Sequence, residues 1–256
     1  MHDFNSMELM VVVASRILEN GASVGVGTGA PLAASMLAQK MHAPDLVIMF
    51  EAGGISPVLC RMPISVGDSR SYNKALMASG MCDIMESCQR GMVDYTFLGG
   101  AQIDMYGNLN STVIGNWEKP KARLPGSGGA NDFASFCWRI LVITPQDPRR
   151  FVEKVSFITS PGYLDGPGAR EKAGLPEGSG PYKVITHMAI LGYDDETKRM
   201  RVESIHHGFD FSDVQNNCGF QLMKARQVVE TPPPTAQELE LLRREVDPEG
   251  YIIGKG

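Results

Sequence analysis

A chain of 256 residues, 43% hydrophobic and 21% charged, has the composition of a globular protein with a sizeable core, and its length suits one large α/β domain over residues 1–256. The formal net charge of -5 argues against a general polyanion binder such as a nucleic-acid protein, because no basic excess exists to neutralise a phosphate chain. Five cysteines (Cys60, Cys82, Cys88, Cys137, Cys218) without a Cys-x-x-Cys pair fit reduced thiols, not a disulfide framework or a structural zinc site, and no metal is expected.

The N-terminal residues 1–8 carry acidic groups and no basic stretch ahead of an apolar run, so they do not read as a secretory leader. The apolar residues 9–17 are cut by Arg16 and closed by Glu19, too short to span a membrane; a cytoplasmic protein is expected. Asn5-x-x-Glu8 has the form of a capping box, and Met7, Val11, Ala14, Ile17 and Leu18 recur at helical spacing until Gly21. A short buried strand at 23–27, a helix at about 32–41 and an apolar strand at 46–50 then make a βαβ unit. Further strands are predicted at 95–98, 140–143, 155–158, 183–186 and 200–205, and helices near 212–217 and 236–245. That alternation predicts an open, mostly parallel, doubly wound α/β sheet. Gly- and Pro-rich loops fall at 99–107, 120–131 and 160–181, lengths that in a compact domain mark function or, alternatively, disorder.

Ligands of an open parallel sheet bind at the carboxyl ends of its strands, and two groups fall there. The turn Gly27-Thr28-Gly29-Ala30-Pro31 leads into a helix N-terminus, where amide groups favour an oxyanion or phosphate, or where a tight turn simply needs glycine. It lacks the spacing of a dinucleotide fingerprint. Glu51 closes the second strand before Ala52-Gly53-Gly54, a placement that suits a nucleophile, a general base or an ordinary loop charge. The loop Gly126-Ser127-Gly128-Gly129-Ala130-Asn131 offers further amides, with Lys119, Lys121 and Arg123 just upstream as phosphate partners or as a solvated basic edge. His187, His206 and His207 read as structural because they lack metal-ligand spacing. Arg61 and Arg70, in the loop after Glu51, are candidate partners for a substrate carboxylate.

Leu98-Gly99-Gly100-Ala101-Gln102-Ile103-Asp104-x-Tyr106-Gly107-Asn108-x-Asn110, with Lys119-Pro120-Lys121 and Gly126-Ser127-Gly128-Gly129-Ala130-Asn131, resembles the β subunits of class I coenzyme A transferases. The likeness continues through Ser65-Val66-Gly67-Asp68, Thr159-Ser160-Pro161-Gly162, Asp165-Gly166-Pro167-Gly168 and Glu245-Val246-Asp247-Pro248, and is nearest to the glutaconate members, then the 3-oxoadipate members. The resemblance implies transfer of CoA between an acyl-CoA, dicarboxylic in the nearest members, and a free acid. Glu51 would then be the nucleophile and the carrier of a glutamyl-CoA thioester. It further implies CoA contacts through backbone amides at Gly27, Gly29, Gly128, Gly129 and Ala130, coenzyme A as substrate with no permanently bound cofactor, and a separate α subunit of similar fold in an α2β2 or larger assembly. Ala52 departs from the family, whose small residue here is usually serine. An acyl-CoA ring-cleaving hydrolase or decarboxylase of the same fold, using Glu51 as a base, is the alternative; a ligand-sensing module would need an output domain that this chain lacks.

Overall fold

The computed structural model describes residues 3–254, so Met1 and His2 of the leader reading lie outside the described residues. The chain forms two compact units, residues 1–97 with 233–256, and residues 98–232.

The first unit opens on helix α1 (Ser6–Ser15). Its predicted capping box is present: the Asn5 side chain accepts from the Met7 and Glu8 amides, and the Glu8 carboxylate accepts from the Asn5 amide. Strand β1 (Ser23–Val26) follows, then helix α2 (Ala30–Met41) and strand β2 (Val47–Phe50). β1 pairs in parallel with β2, Val26 opposite Phe50, and on its other side with β5 (Tyr95–Leu98). All four residues of β1 are buried, as expected of a strand covered on both faces. Two short antiparallel strands, β3 (Gly54–Ile55) and β4 (Met77–Ala78), extend the sheet beyond β2, and helix α3 (Met81–Gln89) leads back to β5. The C-terminal helix Ala236–Leu241 returns to α1, where Arg16 pairs with the buried Glu238 at 2.7 Å and Arg243 pairs with the buried Glu8 at 2.6 Å.

The second unit begins with two small hairpins, β6 (Gln102–Ile103) with β7 (Leu109–Asn110), and β8 (Val113–Gly115) with β9 (Pro120–Arg123). Helix α4 (Ala130–Phe136) precedes β10 (Arg139–Ile143), which pairs in parallel with β11 (Gly180–Ile185) after the short helix α5 (Ala169–Lys172). β12 (Ala189–Tyr193) and β13 (Met200–Ile205) add antiparallel, and after helix α6 (Phe211–Asn216) the strand β14 (Met223–Glu230) pairs in parallel with β13. The expected α/β class and parallel pairing hold, with antiparallel strands added to each unit.

The predicted strand at 155–158 is absent. That stretch is irregular and lies between two isolated bridges, Phe151 to Ile103 and Ser160 to Leu109, so its apolar residues do not pair as a ladder. The predicted loop at 120–131 begins as a strand, because Pro120–Arg123 pairs with β8, and ends in the first residues of α4, while the helix predicted to 245 leaves α-geometry at Leu242 for a π-turn through Val246.

Arg170 holds the long loop of the second unit in place. Only 1% exposed, its guanidinium donates to the carbonyls of Pro161 (3.1 Å), Gly162 (2.9 Å), Ala134 (3.1 Å) and Ser135 (3.2 Å) and to the Ser179 hydroxyl (2.9 Å). A planar donor fork surrounded by carbonyls satisfies groups that a loop otherwise leaves orphaned. Replacing Arg170 by Met strands several of these acceptors, so a loss of about 3 kcal/mol or more is expected, read as a lowered unfolding midpoint in denaturant.

Candidate active site

β1 and β2 run in parallel register, so the turn at Gly27 and the turn at Glu51 leave the same sheet edge from neighbouring strands. Strands so paired lie about 4.8 Å apart, which brings the backbone at Gly27 beside the backbone at Glu51. Gly29 caps α2 with a φ of 88° and a ψ of -146°, a conformation that favours glycine, and no side chain caps the helix. Pro31 in its first turn removes one further donor.

Glu51 and Ala52 are the corner residues of a tight turn closed by the Gly53 amide donating to the Phe50 carbonyl at 2.9 Å. Both are half-buried. The turn is held from behind. The Tyr72 hydroxyl donates to the Ala52 carbonyl, while the Ser79 amide and hydroxyl donate to the Gly53 carbonyl at 3.0 and 2.9 Å. Gly53 has a φ of 120°, and a Cβ there would run into the Ser79 carbonyl; a Cβ on Gly54 would run into the Ser71 carbonyl. These two glycines are therefore required by close backbone approach, and the turn they permit sets Glu51 just past the end of β2.

The loop at Gly128, Gly129 and Ala130 belongs to the second unit. Gly128 takes a φ of 52°, Gly129 caps the seven-residue α4, and the Ala130 amide is already engaged by the Ser127 carbonyl at 3.1 Å. Ser111 fastens the loop's start by exchanging hydrogen bonds with Gly126. Upstream, Arg123 lies over the Trp117 ring at 4.4 Å and donates to the Trp117 carbonyl, and Trp117 stacks on Phe157. The structure thus sets the turns that begin at Gly27 and at Glu51 on neighbouring strands of the first unit, with Gly29 two residues into one of them, and places Gly128, Gly129 and Ala130 in the second unit.

The other sequence candidates resolve clearly. The Arg70 guanidinium grips the Asp68 carboxylate, and this bond holds that carboxyl far below its usual range and raises the arginine. Arg61 pairs with Glu249 of the C-terminal segment at 3.4 Å. Tyr72, Ser79 and that segment escaped the sequence reading, because a hydroxyl that braces a carbonyl leaves no spacing signal. Among the described residues no group of three or more His, Cys, Asp or Glu side chains could hold a metal, and no helix is long and apolar enough to cross a membrane.

His206 is buried, and its Nε2 lies 2.9 Å from the Thr186 carbonyl, which can only accept, so Nε2 carries the proton and Nδ1 accepts from Thr231 at 2.8 Å. Burial lowers its affinity for a second proton, and burial lowers that of His187 too, against an opposing pull from Asp147.

The sequence matches the family model for coenzyme A transferase over residues 7–217. The β subunit of the 3-oxoadipate CoA-transferase of Pseudomonas knackmussii is 40% identical over 95% of this chain and 94% of its own. The β subunit of the glutaconate CoA-transferase of Acidaminococcus fermentans is 38% identical, over 96% and 94% respectively. The crystal structure of glutaconate coenzyme A-transferase from the same organism superposes with a TM-score of 0.93 at 35% identity, covering 99% of both chains.

Two measurements follow from the geometry. Gly53→Ala should cost about 2 kcal/mol or more, through both its φ and its clash, whereas Ser79→Ala should cost only about 1 kcal/mol, and paired thermal melts compare them. For His206 and His187 the folded chain binds a proton less readily than the unfolded chain, whose imidazoles titrate near pH 6.5, so their contribution is complete above that value and is lost progressively as the pH falls below it toward the lowered folded value. The melting temperature should drop from pH 7.5 to 5.5, and His206→Gln should flatten that slope.

Proposed function

This chain belongs to the coenzyme A transferase family, and on that premise we propose that it is the Glu51-bearing subunit of a cytosolic transferase that moves CoA from an acyl-CoA to a free carboxylic acid. A separate α subunit is its proposed partner, since the names of both relatives mark them as the second of two subunits. Dicarboxylic acids are the proposed substrate class, after the glutaconate and 3-oxoadipate enzymes. The observation that carries the reading is the juxtaposition of Glu51 with the Gly27 turn, fixed by the pairing of Val26 with Phe50.

A carboxylate is a weak nucleophile in water and a better one where water is excluded. The Glu51 carboxylate attacks the thioester carbonyl of the acyl-CoA, and the tetrahedral intermediate collapses to a mixed anhydride and CoA thiolate. The thiolate then attacks the Glu51 side-chain carbonyl, forming the enzyme glutamyl-CoA thioester and releasing the donor acid. The acceptor carboxylate runs both steps in reverse, so the thioester is conserved throughout and no net hydrolysis occurs. Each intermediate carries an oxyanion, and the Gly27 and Gly29 amides are the proposed donors in this unit, with Gly128, Gly129 and Ala130 as proposed contacts for CoA. Removal of one such donor typically costs on the order of a hundredfold in rate.

The direct test uses the chain assembled with its α subunit. Incubation with acyl-CoA, trapping with hydroxylamine and peptide mass mapping should find the modification at Glu51, and Glu51→Gln should lower exchange by about a thousandfold or more. Turnover with Glu51 unmodified, or rapid exchange by the variant, overturns the reading. A change in the carbon skeleton while CoA stays attached would instead identify cleavage or decarboxylation, with Glu51 as a base.

A further inference from the structure

The C-terminal segment beyond the last helix is a rigid turn, not a loose tail. The buried Asp247 carboxylate accepts from the Tyr251, Ile252 and Ile253 amides at 2.9, 2.7 and 3.0 Å, and the Ile253 carbonyl accepts from the Asn5 side chain at 2.8 Å. The helix that carries it is fixed to α1 by Arg16 with Glu238 and by Arg243 with Glu8, and to α2 by Lys40 with Glu245.

From that base the turn reaches both loops that flank Glu51. On one side Ile252 stands over the Gly29 turn, so that a side chain added at Gly29 would meet Ile252 Cδ1 at 3.8 Å. On the other side Glu249 pairs with Arg61 at 3.4 Å, and its charge adds to that of Asp68 in raising the proton affinity of Arg70. Arg70 belongs to the 3-10 turn Ser69–Tyr72, whose last residue donates its hydroxyl to the Ala52 carbonyl beside Glu51. We propose that the C-terminal turn, residues 247–253, is a positioning element of the Glu51 site, in which Ile252 and Glu249 fix the Gly29 turn and the 58–72 loop at one spacing. The proposal rests on the reading of Glu51 as the acyl carrier.

Physical weight favours a positional role over a stabilising one. Arg61 is 72% exposed in its side chain, and a pair that open contributes little to folding stability. Between β3 and β4, however, the chain has only the one short 3-10 turn as regular structure, so a few such contacts decide where the loop stands. A loop displaced by an ångström carries Tyr72 with it, and a misaligned nucleophile loses rate steeply.

The test is kinetic and uses the enzyme assembled with its α subunit. Glu249→Lys should lower kcat for CoA exchange by about fivefold or more while the KM for acyl-CoA and the melting temperature stay near those of the parent. High salt should narrow the gap between Glu249→Gln and the parent, since it screens the pair in the parent. The double charge swap Arg61→Glu with Glu249→Lys should recover most of the rate, and Tyr72→Phe should be less than additive with Glu249→Lys, as expected of residues acting in one chain. Parental kcat in Glu249→Lys and in Ile252→Ala, or a loss that follows the melting temperature and is not restored by the swap, overturns the inference alone. A parent enzyme that turns over without an adduct at Glu51 overturns the catalytic reading and the inference with it.

Discussion

The parallel register of β1 with β2 is the constraint on which the site depends. Because Val26 faces Phe50 across the pair, the chain leaves both strands at the same level, with an amide-rich turn after one and a carboxylate after the other. A slip of one residue would turn Glu51 to the opposite face of the sheet and separate it from the Gly27 turn. The register is held by packing: Val24, Val26, Ile48 and Phe50 are each at most 3% exposed, so a slip would force every one of these side chains into a niche shaped for a different neighbour. The geometry of the candidate site and the core packing are set here by the same ladder.

The glycines divide by physical role. Gly53 and Gly54 are demanded by neighbouring carbonyls and serve the chemistry only by letting Glu51 stand at a tight corner. Gly107 and Gly162 are likewise packing residues: a Cβ on Gly107 would strike the Tyr193 hydroxyl and Pro181, and one on Gly162 would strike the backbone at Gly107. Between them sits Asn108, which donates to Asp104 and to the Leu164 carbonyl and accepts from the Gly162 and Leu164 amides. Much of the motif Leu98 to Asn110, which carries the family resemblance, is therefore a polar knot that ties the 160–168 loop to a hairpin. Burial raises the Asp104 carboxyl, against the hydrogen bonds from Asn108 and Tyr106.

The first βαβ unit was legible because each of its signals is local: a capping box, a helical period ended by Gly21, and two short apolar strands. The Glu51 position was legible for the same reason, as a charge after an apolar run and before two glycines. What sequence reading missed is set by long-range contacts. β14 alternates weakly and is largely exposed, so its strand character comes from pairing with β13, while the 155–158 stretch, richer in apolar residues, finds no such ladder. Helix α3 buries only Ile84 and Cys88, a stripe too thin to show as a period among Asp83, Glu86 and Gln89.

Ala52 illustrates how far a family pattern transfers. Where the family resemblance implies serine this chain has Ala52, with no hydroxyl beside Glu51, yet the bond that holds this residue runs from Tyr72 to its backbone carbonyl, which any residue supplies. The architecture of the turn is thus independent of the side chain at position 52, and a change there acts on what meets the substrate and not on where Glu51 points. The same logic applies to Glu51. Its half-buried position is set by the backbone of this chain, but the nucleophilicity of a carboxylate depends on exclusion of water, and a half-buried group has not yet lost its solvent. On the proposed reading, the remaining exclusion comes from what covers the sheet edge during turnover, the acyl-CoA and a separate α chain. A half-exposed carboxylate then stays a weak nucleophile until bound substrate excludes the water around it, and the same exclusion protects the proposed thioester from hydrolysis.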